Sequence, residues 1–291
     1  MEIVRWTAAG AALVAGAWAA WQVSGTVRSD PRSPSGESAA EPIGDRITLA
    51  TDGVLDRGWL VRTLALPKKA TLLTLDLAEL KARVLASGQV ATADLIRNFP
   101  GTLSAHVSER APVLRVMAAA ADGSARPLLV ARDGVVYDGV GYDPAMLRTL
   151  PWLDGVKLLR EGSGFARIDG METAADLLSR AKFEAEPRYS TWRVVSLARF
   201  KEDGDIAVRT ADGLTIIFGT REDFFRQLAR LDLLLDTAAK APAGQPAVRE
   251  INLSLGSQVP VAFAAAQAEP SVRAAAPAAP AFPQLHIKIT P

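Results

Sequence analysis

Ser179-Arg180-Ala181-Lys182 sets a nucleophile and a base at the Ser-x-x-Lys spacing of penicillin-binding enzymes, where the lysine helps the serine attack a carbonyl. The rest of that machinery is missing. Neither Lys-Thr-Gly nor Ser-Asp-Asn occurs in the chain, and Ala174, Leu177, Leu178 and Ala181 mark residues 173–182 as an amphipathic helix. The motif therefore reads as one turn of a surface helix. Gly162-Ser163-Gly164 has the spacing of neither a nucleophile elbow nor a phosphate loop and reads as a turn. The chain has 2 histidines, His106 and His286, too little for a His-based metal site or a triad. The acid pairs Glu202-Asp203 and Glu222-Asp223 fall at a turn and at a helix start. With 0 cysteines, disulfides, thiolate nucleophiles and Cys-based metal centres are excluded. No catalytic residue, cofactor-binding residue or metal ligand is assigned, and no cofactor is expected.

Composition bounds the remaining classes. Lys and Arg total 33 against 32 Asp and Glu, a net charge of +1, which does not suit a nucleic-acid binder. With 291 residues of which 49% are hydrophobic, the chain can bury one large core or two modest ones.

The order of elements is richer than the chemistry. Residues 6–23 carry no charge and as a helix would span about 27 Å, close to the roughly 30 Å hydrocarbon core. Trp6, Trp18 and Trp21 lie near the ends of this segment, where indole favours the interface. The segment is expected to be a transmembrane helix, behind a tail of residues 1–5. Ala15-Gly16-Ala17 leaves open a cleaved signal peptide. A Ser/Pro/Gly-rich linker follows over 24–45.

Within 46–117, a strand at Ile47 and Leu49 leads to an apolar helical set of Trp59, Leu60, Leu64 and Leu66. Asp76 and Glu79 form a capping box for a second helix, with Gly88 as its stop. Strands at 90–98 and 103–107 close the module, joined through Phe99-Pro100-Gly101-Thr102, which is expected to be a type II turn. On the second strand Leu103, Ala105 and Val107 face inward, alternating with Ser104, His106 and Ser108.

From 118 to 263 short strands alternate with Asp-Gly turns at 122–123, 133–134, 203–204 and 212–213. A helix over 222–239 is expected to bury Phe224, Phe225, Leu228, Leu231 and Leu235, as core rather than as a cofactor pocket. Strands at 250–255 and 259–263 come last, before an Ala/Pro-rich tail over 264–291 that is expected to be disordered.

Several separated passages resemble the FtsQ/DivIB family of bacterial cell-division proteins. They include Phe99-Pro100-Gly101-Thr102-Leu103, Glu109-Arg110-Ala111-Pro112, the stretch from Leu129 to Val136, Leu150-Pro151 with Leu153 and Gly155, Asp212-Gly213 running to Phe218-Gly219, and Glu250 to Leu255. The chain departs from the family where Gly88-Gln89-Val90 enters the second strand, in place of a common Pro-Trp-Val.

The resemblance implies an α+β fold: the N-terminal transmembrane helix, a POTRA-like β-α-α-β-β module, then a mainly antiparallel β module with flanking helices. It also implies a non-enzymatic, single-pass scaffold of the division machinery. Such a protein sits in the inner membrane with its N-terminus in the cytoplasm and its bulk in the periplasm, enriched at the septum. Its partners would be FtsB/FtsL-like coiled-coil proteins and other divisome components, with no nucleic acid and no small-molecule substrate.

A last strand at a sheet edge can accept a partner strand. The positions implied for that contact are Ile251, Asn252, Leu253, Ser254, Leu255, Gln258, Val259 and Val261. Two other readings compete: a POTRA-bearing component of outer-membrane assembly or export, and a peptidoglycan-acting envelope enzyme.

Overall fold

The structure of the protein, a computed structural model, describes residues 42–119, 124–240 and 246–263. Its first module runs β1 (Ile47–Thr51), α1 (Arg57–Leu64), α2 (Leu77–Leu85), β2 (Val90–Asn98), β3 (Thr102–Glu109). β3 is central, parallel to β1 and antiparallel to β2.

Local chemistry sets both helix starts. The Asp56 carboxylate accepts from the Trp59 N–H at 2.6 Å, and Asp76 Oδ1 accepts from the N–H groups of Ala78 (2.9 Å) and Glu79 (3.2 Å). Glu79 does not close the capping box, because its carboxylate takes the Arg83 guanidinium at 2.6 Å instead. Trp59, Leu60, Leu64, Leu80 and Val84 point onto the sheet, and with Leu103, Ala105 and Val107 they form a buried core.

The hairpin between β2 and β3 is not the expected type II turn. The Phe99–Pro100 peptide is cis and Gly101 lies outside the positive-φ region. A Cβ at 101 would fall 2.8 Å from the Arg46 guanidinium carbon, the far end of a flexible side chain that can move aside.

The second module comprises β4 (Pro112–Ala119), β5 (Ala125–Ala131), β6 (Val136–Tyr137), α3 (Pro144–Thr149), β7 (Trp152–Asp154), a small hairpin of β8 (Arg160–Glu161) and β9 (Gly164–Phe165), and α4 (Met171–Glu184). It continues with α5 (Glu186–Tyr189), β10 (Trp192–Ser196), α6 (Phe200–Asp203), β11 (Asp205–Thr210), β12 (Thr215–Gly219), α7 (Phe224–Ala239), β13 (Val248–Asn252) and β14 (Val261–Phe263). Nine of its strands make one sheet in the order β14-β13-β12-β11-β10-β7-β4-β5-β6. α4 and α7 cover one face through Leu177, Leu178, Leu228 and Leu231, packed on Val195, Val208 and Ile216. Trp192 is sealed between Tyr189 and Phe218, with ring centroids 5.7 Å from each.

The expected fold class needs correction. The described residues form a mixed α/β arrangement, in which β4–β7, β7–β10 and β12–β13 pair in parallel within the nine-stranded sheet. No helix among the described residues is long and apolar enough to cross a membrane, so the expected transmembrane helix finds no support in them. The segment expected to form one, 6–23, lies outside the described residues, as do residues 1–5, most of the linker and the tail after Phe263. Phe225 is also corrected. It is 51% exposed, because the next position along a helix is rotated by about 100° from Phe224, which is buried.

The two modules meet at Glu109-Arg110-Ala111-Pro112. Glu109 Oε1 accepts from Thr51 Oγ1 (2.5 Å) and the Leu55 N–H (2.9 Å), and Oε2 accepts from Gln89 Nε2 (3.0 Å). Gln89, 1% exposed, also donates to the Val140 carbonyl at 3.0 Å and accepts from the Val140 N–H at 2.9 Å. Arg110 donates to the carbonyls of Gly88 and Val90 and to Asp133, while its own carbonyl accepts from the hydroxyls of Tyr137 (3.0 Å) and Tyr142 (2.8 Å). Burial pushes the Tyr137 hydroxyl far up, so it stays a donor at any working pH.

Candidate partner-binding edge

β14 ends the sheet. It pairs antiparallel with β13, Ile251 opposite Val261 and Glu250 opposite Ala262, and the Asn252 N–H donates to the Pro260 carbonyl at 3.0 Å. Antiparallel hydrogen bonds alternate along a strand. With Pro260 and Ala262 turned toward β13, the N–H and C=O groups of Val261 and Phe263 face the outer edge. Phe263 is 51% exposed and Val261, two residues earlier on the same face, is half-buried.

The loop leading into β14 is stiffly held. Asn252 Oδ1 accepts from the Ser254 N–H (2.9 Å) and Oγ (2.7 Å), a side-chain turn that ends β13. Gly219, at the end of β12, backs directly onto it, since a Cβ there would lie 2.8 Å from Ser254 Cα. From the helix side Arg230 forks onto Glu222 at 2.9 and 3.1 Å and donates to the Gly256 carbonyl at 2.5 Å. The hydrogen bond from Arg230 holds the Glu222 carboxyl below the usual carboxylate range, against burial that acts to raise it.

Beside the loop lies a cavity of about 210 Å³ lined by Arg199, Asp205, Thr220, Arg221, Ser254 and Leu255. Arg199 is ion-paired with Asp205, which is 5% exposed, and with Asp203 at 3.1 Å. The cavity is thus charge-compensated within itself, and its mouth offers the 60% exposed Leu255.

The expected contact residues divide between core and surface. Ile251 (1% exposed) and Leu253 (0%) are core, because β13 is an interior strand and both face α7. Asn252 and Ser254 shape the turn. Leu255 and Gln258 are exposed, Val259 packs half-buried against the core, and Val261 lies on the edge strand itself. Phe263 was not in that set. Its signal was available, as the last large apolar residue before the Ala/Pro-rich run that begins at Ala264.

The β2 edge of the first module, by contrast, is guarded. In the first module β2 is terminal, and Lys81 of α2, on the core side of the sheet, reaches Asp94 on the opposite side at 3.3 Å, a strap across that edge.

The catalytic lures stay apart. Ser179 and Lys182 are exposed on α4, Glu202 and Asp203 lie on α6, and His106 sits on the outer face of β3 between Ala50 and Asp94. His286 lies outside the described residues. Among the described residues no group of three or more His, Cys, Asp or Glu side chains converges as a metal site would require.

No protein-family model matches the chain, and no curated protein sequence matches it either.

Proposed function

We propose that the protein is a non-enzymatic scaffold of the bacterial division machinery, of the FtsQ/DivIB type, that captures a partner by strand addition along β14. The partner would be an FtsB/FtsL-like coiled-coil protein whose extended segment supplies the missing neighbour of Val261–Phe263. The observation that carries the reading is the outer edge of β14: backbone donors and acceptors at Val261 and Phe263 lie beside the exposed Phe263 side chain, and the loop that leads into the strand exposes Leu255. Main-chain hydrogen bonds would give affinity and the flanking apolar residues would give register. The braces from Arg230 and Gly219 keep the ribbon ordered before binding, which lowers the entropic cost of docking.

The test uses the full chain with three single substitutions, one on the backbone of the edge strand and two at exposed side chains. Val261→Pro removes the outward N–H, and Leu255→Glu and Phe263→Glu place charge where apolar contact is required. Each is expected to weaken pull-down of an FtsB-like partner about tenfold or more while leaving thermal unfolding unchanged. Undiminished binding in all three would remove β14 as the docking edge. Leu253 is unsuitable for this purpose, because charge at a fully buried site unfolds the module whatever its function.

A further inference from the structure

The end of the first module that points away from the second combines apolar exposure with unpaired positive charge. Ile47 pairs with Leu103 at one end of β1 and Thr51 with Val107 at the other. The Glu109 end of β3 carries the junction, so the Leu103 end is the distal tip. Three pieces of chain are stitched together there. Arg97 donates to the carbonyls of Leu72 (2.8 Å) and Leu75 (2.5 Å), fastening the 72–75 turn to the end of β2. Pro42 bridges to Thr71, and the Ile43 N–H donates to the Ala70 carbonyl at 2.9 Å. The Phe99–Gly101 turn packs under Arg46.

The side chains left outside are of two kinds. Leu73 is 62% exposed, Phe99 50% and Ile96 46%. Lys68 and Lys69 are exposed, and neither forms an ion pair with a described residue. The nearby carboxylates are already engaged, Asp45 with Arg57 at 3.8 Å and Asp76 with the start of α2.

We infer that this tip docks on an anionic phospholipid surface, Lys68 and Lys69 meeting headgroup phosphates while Leu73 and Phe99 enter the acyl boundary. Reversible interfacial binding needs both halves, apolar burial and attraction to negative headgroups, and the two add. A lysine ammonium is a mobile point charge that accepts any phosphate geometry, as a fluid surface requires. Docking here would fix the distance of β14 from the membrane. The inference does not depend on the strand-edge reading, since it concerns the opposite end of the molecule.

The full chain contains 0 cysteines, so Phe99→Cys and, separately, Phe183→Cys each give a unique labelling site. Phe183, 86% exposed on α4 of the second module, is the reference. Each is labelled with an environment-sensitive fluorophore and mixed with vesicles containing a quencher lipid. One vesicle set is equal parts phosphatidylglycerol and phosphatidylcholine, the other phosphatidylcholine alone.

The expected result is quenching at position 99 with phosphatidylglycerol, little with phosphatidylcholine, and none at 183 in either. Combining Lys68→Glu with Lys69→Glu should reduce the quenching at 99 about tenfold or more, with thermal unfolding unchanged. Raising salt should have the same sense. A probe at 99 that stays in water, that is quenched equally by both vesicle types, or that is quenched no more than the one at 183 would overturn the inference.

Discussion

Gln227 offers the sharpest test of how the C-terminal ribbon of β13 and β14 is held in place. It is 0% exposed in the first turns of α7, and its amide is fully used. Oε1 accepts from the Gly219 N–H at 3.0 Å, and Nε2 donates to the carbonyls of Gly219 (2.7 Å) and Glu222 (2.8 Å). Gln227→Met keeps the volume but removes both roles, leaving the buried Gly219 N–H and C=O without this partner. The Glu222 carbonyl is nearer the surface and can recruit water. An unsatisfied buried backbone group costs about 1–3 kcal/mol, so the substitution should cost about 2–4 kcal/mol in all. For a structured region of this size that is a fall of roughly 5–15 °C in Tm.

The effect should also be local. Gly219 backs onto Ser254, so loosening the end of β12 releases the turn that launches β14. Hydrogen exchange read residue by residue is the assay: the amides of Gly219, Ser254 and Val261 should lose protection more than those of β4 and β5, which lie across the sheet. A Gln227→Met protein with unchanged Tm and undiminished protection at Gly219 would refute the reasoning, because it would mean that the amide contributes only its volume.

Three further outcomes follow from the geometry. The Glu222 carboxyl is held below its ordinary value of 4.5, first by the hydrogen bond from Arg230, so the brace on Gly256 contributes fully above that value and is lost as the pH falls through the lowered one; exchange at residues 254–257 should quicken in acid, and Glu222→Gln should abolish that dependence. Gln89→Leu strips partners from Glu109 and from both backbone groups of Val140, and should cost about 2–3 kcal/mol; spin labels at Asp94→Cys and Phe183→Cys should then report a broadened inter-module distance, and an unchanged width would show that the clamp is not needed. Gly134→Ala meets both a φ of +78° and a Cβ 2.4 Å from the Ile168 carbonyl oxygen, whereas Gly162→Ala at φ +55° meets open space; calorimetry should find about 1 kcal/mol lost at 162 and clearly more at 134.

Much of the fold was legible where the signal is local. Asp76 caps α2 because a carboxylate directly before an apolar stripe is read within one turn. The Asp133-Gly134 and Asp212-Gly213 turns sit between antiparallel neighbours, β5 with β6 and β11 with β12, where a tight turn dictates the pairing. The parallel contacts had no such signal. β7 is 3 residues long and pairs with β4 through Arg115 and Trp152 and with β10 through residues 152–154, partners far away in sequence. Only the completed core decides that placement. Arg115, stacked 4.3 Å over the Trp152 ring, is a consequence of it and leaves no periodicity to read.

The candidate site divides along the same line. An alternating run from Glu250 to Leu255 looks like one strand, and alternation alone cannot say which phase faces a helix. Asn252 settles it by turning the chain on its own side chain, so that Ile251 and Leu253 stay in the core while Leu255 is released to the surface.

The free edge consequently moves one strand further along, to Val261–Phe263, and the comparison with β2 gives that shift a physical meaning. Both strands are terminal in their sheets, and an unprotected edge is a hazard for any protein that must not pair at random. The β2 edge carries the Lys81–Asp94 strap and the charged residues Asp94 and Arg97. β14 carries valine, alanine and phenylalanine and no charge at all. An edge of 3 residues is too short to recruit strands indiscriminately, yet it is long enough to be recognised when Leu255 and its cavity add a second point of contact. Specificity would then come from the pairing of a short ladder with a neighbouring apolar site. This predicts that restoring charge on β14, by Ala262→Lys, weakens capture less than Leu255→Glu does, since Ala262 turns its backbone groups inward to β13 while Leu255 stands at the mouth of the cavity.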